Sequence, residues 1–188
     1  MKTDTIPESF TASLRIASLG LALAVLTILF GQGMGIVFGL NEDAIKSRLK
    51  ASAAEVRETV YKSDDAAIKT VLDKSWVYMQ RAHLHAGGMG TTALALIVLV
   101  RLLGASRRWT MAIGLGLGAG GLGYSLFWMW AGFRAPSLGS TGLAKESLKW
   151  LAMPSSGAFV LATTAVLFLL VLTIAWRQSG TPSVRSLE

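Results

Sequence analysis

Four long apolar runs divide this sequence of 188 residues, and each run is long enough to cross a lipid bilayer. About 20 helical residues span the hydrocarbon core of a membrane. The backbone finds no water to bond with in lipid, so such spans must be helical. The runs predict an all-α fold, an integral membrane four-helix bundle, with spans at about 16–40, 82–103, 109–133 and 150–176. A hydrophobic content of 52% and a mean hydropathy of +0.51 agree with a membrane protein.

The chain is basic, with 18 Lys and Arg against 11 Asp and Glu. Many of the basic residues flank the apolar runs, where they anchor helices and contact anionic headgroups. The expected partner is therefore the lipid bilayer and not a nucleic acid. Cysteine is absent, which excludes disulfides and thiolate metal sites.

Residues 42–80, between the first two spans, predict an extramembrane helical hairpin. Asn41 has the character of an N-cap, and the first hairpin helix is expected to reach about Tyr61. Ser63 or Asp64 then caps a second helix that leads toward the second span. Acidic and basic residues are equally numerous in the hairpin, which argues against a nucleic-acid surface.

Four spans place both termini on one side of the membrane. Basic residues near the span ends favour a cytoplasmic location for that side, and these are Lys2, Arg15, Arg101, Arg107, Arg108 and Arg177. The hairpin contains more Lys and Arg, but acidic neighbours offset them. We therefore expect a multi-pass protein of the cell inner membrane, with the hairpin in the periplasm or outside the cell.

Glycines at helical spacing predict close helix contacts. Gly31, Gly35 and Gly39 share one face of the first span, which lets another helix backbone approach closely. Helix packing is the main interpretation of this face, and a cofactor or lipid lying against it is the alternative; the face would also suit a homodimer. The third span offers two further pairs, Gly114 with Gly118 and Gly116 with Gly120. The same span ends in an aromatic cluster, which is either an interface belt or part of the wall of a flat cofactor pocket; its members include Tyr124, Trp128 and Trp130.

Both histidines of the chain lie where the second span begins. At about 100° per residue, His83 and His85 point roughly 200° apart, so an undistorted helix cannot aim both at one metal. One face carries Arg81, His85 and Met89, and another carries Trp76, Gln80 and His83. Gly87 and Gly88 leave room beside His85 for a ring or a neighbouring helix.

Ionisable groups at membrane depth are candidate functional residues. The pattern leaves three interpretations open: hydrogen-bonded histidines without a ligand, a heme or metal site, and a quinone, lipid or proton role. If a cofactor binds, the predicted ligand is His85, with Met89 as a second metal donor and Arg81 facing a heme propionate. His83 is expected to orient toward the hairpin.

The segment His85-Ala-Gly-Gly-Met89 resembles the second helix of heme–copper oxidase subunit I, in which a histidine four residues before a methionine ligates low-spin heme. The resemblance covers five of 188 residues. It implies heme b bound by His85. This chain has no histidine after His85, so the oxidase's oxygen-reducing centre is not implied. The second axial ligand would be a distorted His83, a methionine, or His85 of a second subunit; the candidate methionines are Met34, Met89 and Met129.

Copper is a rival ligand, because imidazole and thioether groups suit it, but the seven methionines are dispersed. Zinc needs more nitrogen, sulfur or carboxylate ligands than the histidine region offers. Hydrolytic catalysis is not indicated either, because the last three spans contain no carboxylate. We therefore do not expect an autonomous enzyme. The prediction is a heme- or metal-binding subunit for electron transfer. The alternative is a structural or accessory membrane subunit without cofactor, in a homodimer or a larger complex.

Overall fold

A computed structural model describes the backbone of residues 8–179 and the side chains of residues 15–176. These residues form five helices and no strand, in the order α1 Glu8–Ala54, α2 Asp65–Leu102, α3 Arg107–Leu138, α4 Thr141–Ser147 and α5 Lys149–Ser179. The helices α1, α2, α3 and α5 are long and apolar enough to cross a membrane. The predicted all-α class with four helices of spanning length is confirmed. Lys2 and the side chain of Arg177, which were used to predict orientation, lie outside the described residues.

Helix α1 consists of two helices that meet at a kink at Asn41, whose angles are non-helical (φ −133°, ψ 25°), and the second of them runs to Ala54. The predicted start of a new helix at Asn41 is confirmed. The second helix follows the first directly, without a loop between them. Helix α1 ends at Ala54, before the predicted end of the first hairpin helix at about Tyr61. Residues 55–63 form the turn that leads to α2.

The turn between α1 and α2 has a sequence-specific geometry. Lys62 and Ser63 adopt left-handed angles, with φ of 51° and 62°, which few non-glycine residues adopt outside tight turns. Asp64 then caps α2, because its Oδ1 accepts a hydrogen bond of 2.9 Å from the Ala67 N–H. The predicted cap is confirmed, and α2 runs without interruption from this turn into the second apolar run.

Helix α3 is the central element. It is parallel to α1 and antiparallel to α2 and α5, and it packs against all three. Half of its most apolar window is buried, against 11% for α5. Both predicted glycine pairs are used, on different neighbours: Gly114 and Gly118 face α1, and Gly116 and Gly120 face α5. Glycine lets these backbones approach closely enough to exclude lipid between them.

The glycine face of α1 packs within the chain. A Cβ on Gly31 would lie 3.0 Å from the Ala86 Cβ, and one on Gly35 would lie 2.8 Å from the His83 Cε1. Nothing lies within 4 Å of a Cβ on Gly39. The predicted close helix packing on this face is therefore confirmed at Gly31 and Gly35, and it occurs within the chain, against α2, so this part of the face is not free for dimerisation.

The α1–α2 turn is fastened to the end of α3. The buried Tyr61 hydroxyl donates a hydrogen bond of 2.7 Å to the Pro136 carbonyl oxygen. Apolar side chains from four helices surround this bond, among them Ala53, Val71, Ala135 and Ala144. The segment between the third and fourth predicted spans is mostly helical, because α3 continues to Leu138 and Ser140 caps the short α4.

Candidate functional site

The two side-chain faces of α2 meet two different helices. Trp76 and His83 both contact Phe38 of α1, at ring-centroid distances of 5.1 Å and 6.3 Å. His85 lies against aromatic rings of α3, and Met89 against the α3 backbone at Gly121. The separation of the two faces, predicted from a rotation of about 100° per residue, is therefore observed.

His83 joins α2 to α1 by a hydrogen bond. Its Nδ1 lies 2.8 Å from the Gly31 carbonyl oxygen. A carbonyl oxygen only accepts, so His83 donates from a protonated Nδ1. Its ring fits here because Gly35, one turn further along α1, has no side chain. The expectation that His83 orients toward the hairpin is wrong. Its imidazole packs on Gly31 and Gly35 of α1, in the interface between the apolar parts of α1 and α2.

His85 is bonded within its own helix. Its Nδ1 lies 2.8 Å from the Arg81 carbonyl oxygen, and the same reasoning places the ring proton on Nδ1. In the neutral imidazole the other nitrogen, Nε2, then keeps its lone pair. Histidines that bind metals commonly hold their second nitrogen in this way, through a bond to a backbone carbonyl. His85 thus has the tautomer that a ligand requires.

Aromatic rings of α3 form one wall around His85. The imidazole meets the Tyr124 ring edge-on at 5.2 Å and the Trp128 ring at 6.1 Å. Trp128 is also in edge contact with Tyr78 of α2, at 4.8 Å. The indole Nε1 of Trp128 is buried, and no residue described in the structure accepts its hydrogen bond. The cluster therefore contains one buried donor and one imidazole lone pair.

Arg81 lies over the same rings. Its guanidinium carbon is 5.1 Å from the centre of the Trp128 ring and 5.6 Å from that of Tyr78. The Lys145 ammonium lies 5.9 Å from the Tyr78 ring. Cation–π contacts of this kind contribute roughly 0.5–2 kcal/mol, depending on desolvation. They hold Arg81 on Trp128, the same ring that His85 contacts.

Met89 and the paired glycines complete the local structure. The Met89 Cβ is 3.4 Å from the position of a Cβ on Gly121, so Met89 packs between α2 and α3. A Cβ added to Gly87 or Gly88 would have nothing within 4 Å. The predicted open surface after His85 is present at these two glycines.

The sequence identified some members of this cluster and missed others. Tyr124 and Trp128 lie beside His85, whereas Trp130 is 48% exposed, as in an interface belt. Tyr78 was not predicted, although its position three residues before Arg81 is the spacing at which helical side chains meet. The acceptor of His83 was also missed, because a backbone carbonyl leaves no side-chain signal.

Donors for other metals are sparse. Over the described residues, no group of three or more His, Asp or Glu side chains is placed to hold a metal ion. Of the proposed methionine ligands, Met34 is buried in α1, the helix that faces His83. The geometry therefore offers His85 as a single imidazole ligand, with Met89 one turn away on the same face.

Comparison with known proteins adds no relative: no protein-family model, curated protein or solved structure matches the chain.

Proposed function

We propose that this protein is a multi-pass membrane protein in which α1, α2, α3 and α5 cross the bilayer as a four-helix bundle. Tryptophans favour membrane interfaces, and exposed ones stand at both ends of the long helices: Trp109, Trp130, Trp150 and Trp176. Trp109 and Trp130 are 21 positions apart along α3, which corresponds to about 31 Å, close to the ~30 Å of a hydrocarbon core.

On this placement, residues 42–80 form a hairpin outside the bilayer, and the chain ends lie on the cytoplasmic side of an inner membrane. The exposed ion pairs of this segment support an aqueous location; Arg57 with Asp65 at 2.9 Å and Lys69 with Asp73 at 2.6 Å are examples. The opposite end carries arginines without acidic neighbours among the described side chains, as cytoplasmic ends often do.

Within that frame, the proposed activity is one-electron transfer by heme b held at His85. The observation that carries the proposal is the His85 Nδ1 bond to the Arg81 carbonyl, which leaves Nε2 as a lone-pair donor beside an aromatic wall. Imidazole is a common axial ligand of heme iron. The heme would supply an iron that alternates between ferrous and ferric states, and the protein would supply ligation and an apolar setting.

The surrounding residues suit a heme in two further respects. Arg81 stands beside His85, and a guanidinium matches a propionate carboxylate in a two-point contact. The unpaired Trp128 Nε1–H is a second donor in the same cluster. Copper is less favoured, because His85 and Met89 give it two donors on this face, and over the described residues no group of three or more His, Asp or Glu side chains is placed to add others.

The second axial ligand is proposed to come from His85 of a second copy. Within one chain, His83 is committed to the Gly31 carbonyl and Met89 packs against Gly121. The open surface at Gly88, which at three residues after His85 lies next to it on the helix, provides room for the approach. A shared heme predicts one heme for every two chains and a low-spin spectrum with two imidazole ligands.

Purification in mild detergent, followed by a hemochrome assay and iron analysis, tests this proposal. We expect a Soret band and one iron per two chains. Met89→Leu should leave the spectrum unchanged, whereas a spectral shift would make Met89 the second ligand. Arg81→Ala should weaken heme retention without changing the axial ligands. One heme per chain with a five-coordinate spectrum would contradict the shared site.

A second candidate function is a cofactor-free accessory subunit. It is favoured by α5, which is strongly apolar and only 11% buried in its most apolar window, so a larger partner has a broad face available. A colourless, iron-free protein that purifies with a stoichiometric membrane partner would support this function over heme binding.

A further inference from the structure

A groove separates α1 from α3 at the end of the molecule opposite the α1–α2 turn. Its volume is about 110 Å³, and its lining includes Arg15, Leu19 and Gly20 of α1, and Arg107, Met111 and Gly114 of α3. The two helices touch at Gly20 and Gly114, where a Cβ on Gly20 would lie 2.7 Å from the Gly114 carbonyl carbon. Toward their N-terminal ends they leave the groove open, with one arginine on each side.

Among the side chains that the structure describes, those with a charge at this end are basic. Every Asp and Glu whose side chain the structure describes lies between residues 42 and 73 or at Glu146, at the opposite end. Arg15 and Arg107 therefore face each other's helix without a described carboxylate to neutralise them. Arg108, next in sequence, is also exposed and adds to the positive potential.

The groove is apolar below the arginines. Leu19, Met111 and Leu115 line it and are 58%, 43% and 38% exposed. The exposed Trp109 marks the membrane interface at the level of the arginines. The groove thus presents cations at headgroup depth and an apolar lining at acyl-chain depth. A free phosphate would contact the arginines and leave the apolar lining unused.

We propose that this groove binds one anionic phospholipid. Its phosphodiester lies between Arg15 and Arg107, and an acyl chain follows Leu19, Met111 and Leu115 toward the contact of Gly20 with Gly114. Basic pockets between membrane helices on the cytoplasmic side are known to select acidic lipids by this combination of charge and depth. The site is independent of the His85 cluster, so it stands whether or not heme binds.

Native mass spectrometry of the detergent-purified full chain tests the site, with dioleoyl phosphatidylglycerol and dioleoyl phosphatidylcholine as probes. We expect one phosphatidylglycerol to be retained at least tenfold more strongly than phosphatidylcholine. The double variant Arg15→Gln/Arg107→Gln should lose that preference. The matched control Arg48→Gln/Arg134→Gln removes the same charge at the other end and should keep it.

Two further measurements make the result decisive. Arg15→Lys/Arg107→Lys retains the charge and should recover most of the preference, which separates lipid binding from misfolding. Equal loss in the matched control, or equal retention of the two lipids by the wild type, would overturn the proposal. Displacement by glycerol 3-phosphate at the same concentration would also overturn it, because the site would then recognise phosphate alone.

Discussion

Replacing Gly20 by alanine should destabilise the protein, whereas replacing Gly114, which it faces, should not. The added methyl of Gly20→Ala would lie 2.7–2.8 Å from three backbone atoms of Gly114, and no rotamer change can relieve that contact. To reach ordinary contact at 3.4 Å, α1 and α3 must separate by about 0.7 Å. The methyl of Gly114→Ala would instead lie 3.6 Å from the Gly20 Cα, which is already ordinary contact.

The magnitude follows from two terms. A separation of ~0.5–1 Å forfeits about a quarter to a half of the dispersion attraction across a contact, and overpacking typically costs about 1–3 kcal/mol. Alanine gains up to about 1 kcal/mol of helix propensity over glycine in either variant, so this term cancels in their difference. We expect Gly20→Ala to be less stable than Gly114→Ala by about 1–3 kcal/mol.

Reversible unfolding in mixed detergent micelles, with dodecyl sulfate as denaturant and far-UV circular dichroism as the signal, measures this difference. Gly33→Ala is the control within α1, because nothing lies within 4 Å of its added Cβ. The control should match or exceed the wild type in its free energy of unfolding. If Gly20→Ala and Gly114→Ala were equally stable, the close approach of α1 and α3 at this point would be refuted.

Three other predictions concern packing and topology. Tyr61→Phe removes a buried hydrogen bond and should lower the free energy of unfolding by about 1 kcal/mol. Burial raises the pKa of Tyr61 above its ordinary 10.0, so the stabilisation by Tyr61 should be full below pH 10 and lost as pH rises through the folded-state pKa. The phenylalanine variant should not show this loss. Gly35→Leu should displace the imidazole that packs on it and lower thermal stability more than Leu26→Ala, whose side chain is 49% exposed; equal losses would mean that the α1–α2 contact is loose. Single cysteines at Ser63 and Ser179 should react with impermeant reagents from opposite sides of the membrane, and labelling of both from one side would contradict four spans.

The sequence was sufficient for features that depend on helical periodicity alone. The length of the apolar runs predicted the four long helices. The rotation per residue separated His83 from His85. The same rotation placed Gly114 and Gly116 on different faces of the third span, but it did not identify the helix that each face contacts. In the structure Gly114 contacts α1 and Gly116 contacts α5.

Features that depend on contacts between helices were not predictable from local pattern. The acceptor of His83 depends on the register of α1 against α2, which the turn at residues 55–64 sets. The extension of α3 past residue 133 depends on contacts made by the turn, because Tyr61 bonds the Pro136 carbonyl there. Periodicity predicts which side chains share a face, but packing decides what that face meets.

The central claim is that the two histidines of α2 have separate roles, His83 in helix packing and His85 in ligation. Absorption spectra, iron content and unfolding free energy of His83→Ala and His85→Ala, measured beside the wild type, test it most directly. We predict that His85→Ala loses the Soret band and the iron, while His83→Ala keeps both and loses about 1 kcal/mol of stability with its hydrogen bond to Gly31. A His85→Ala protein with unchanged spectrum and iron content, or a wild type without heme, would contradict the account.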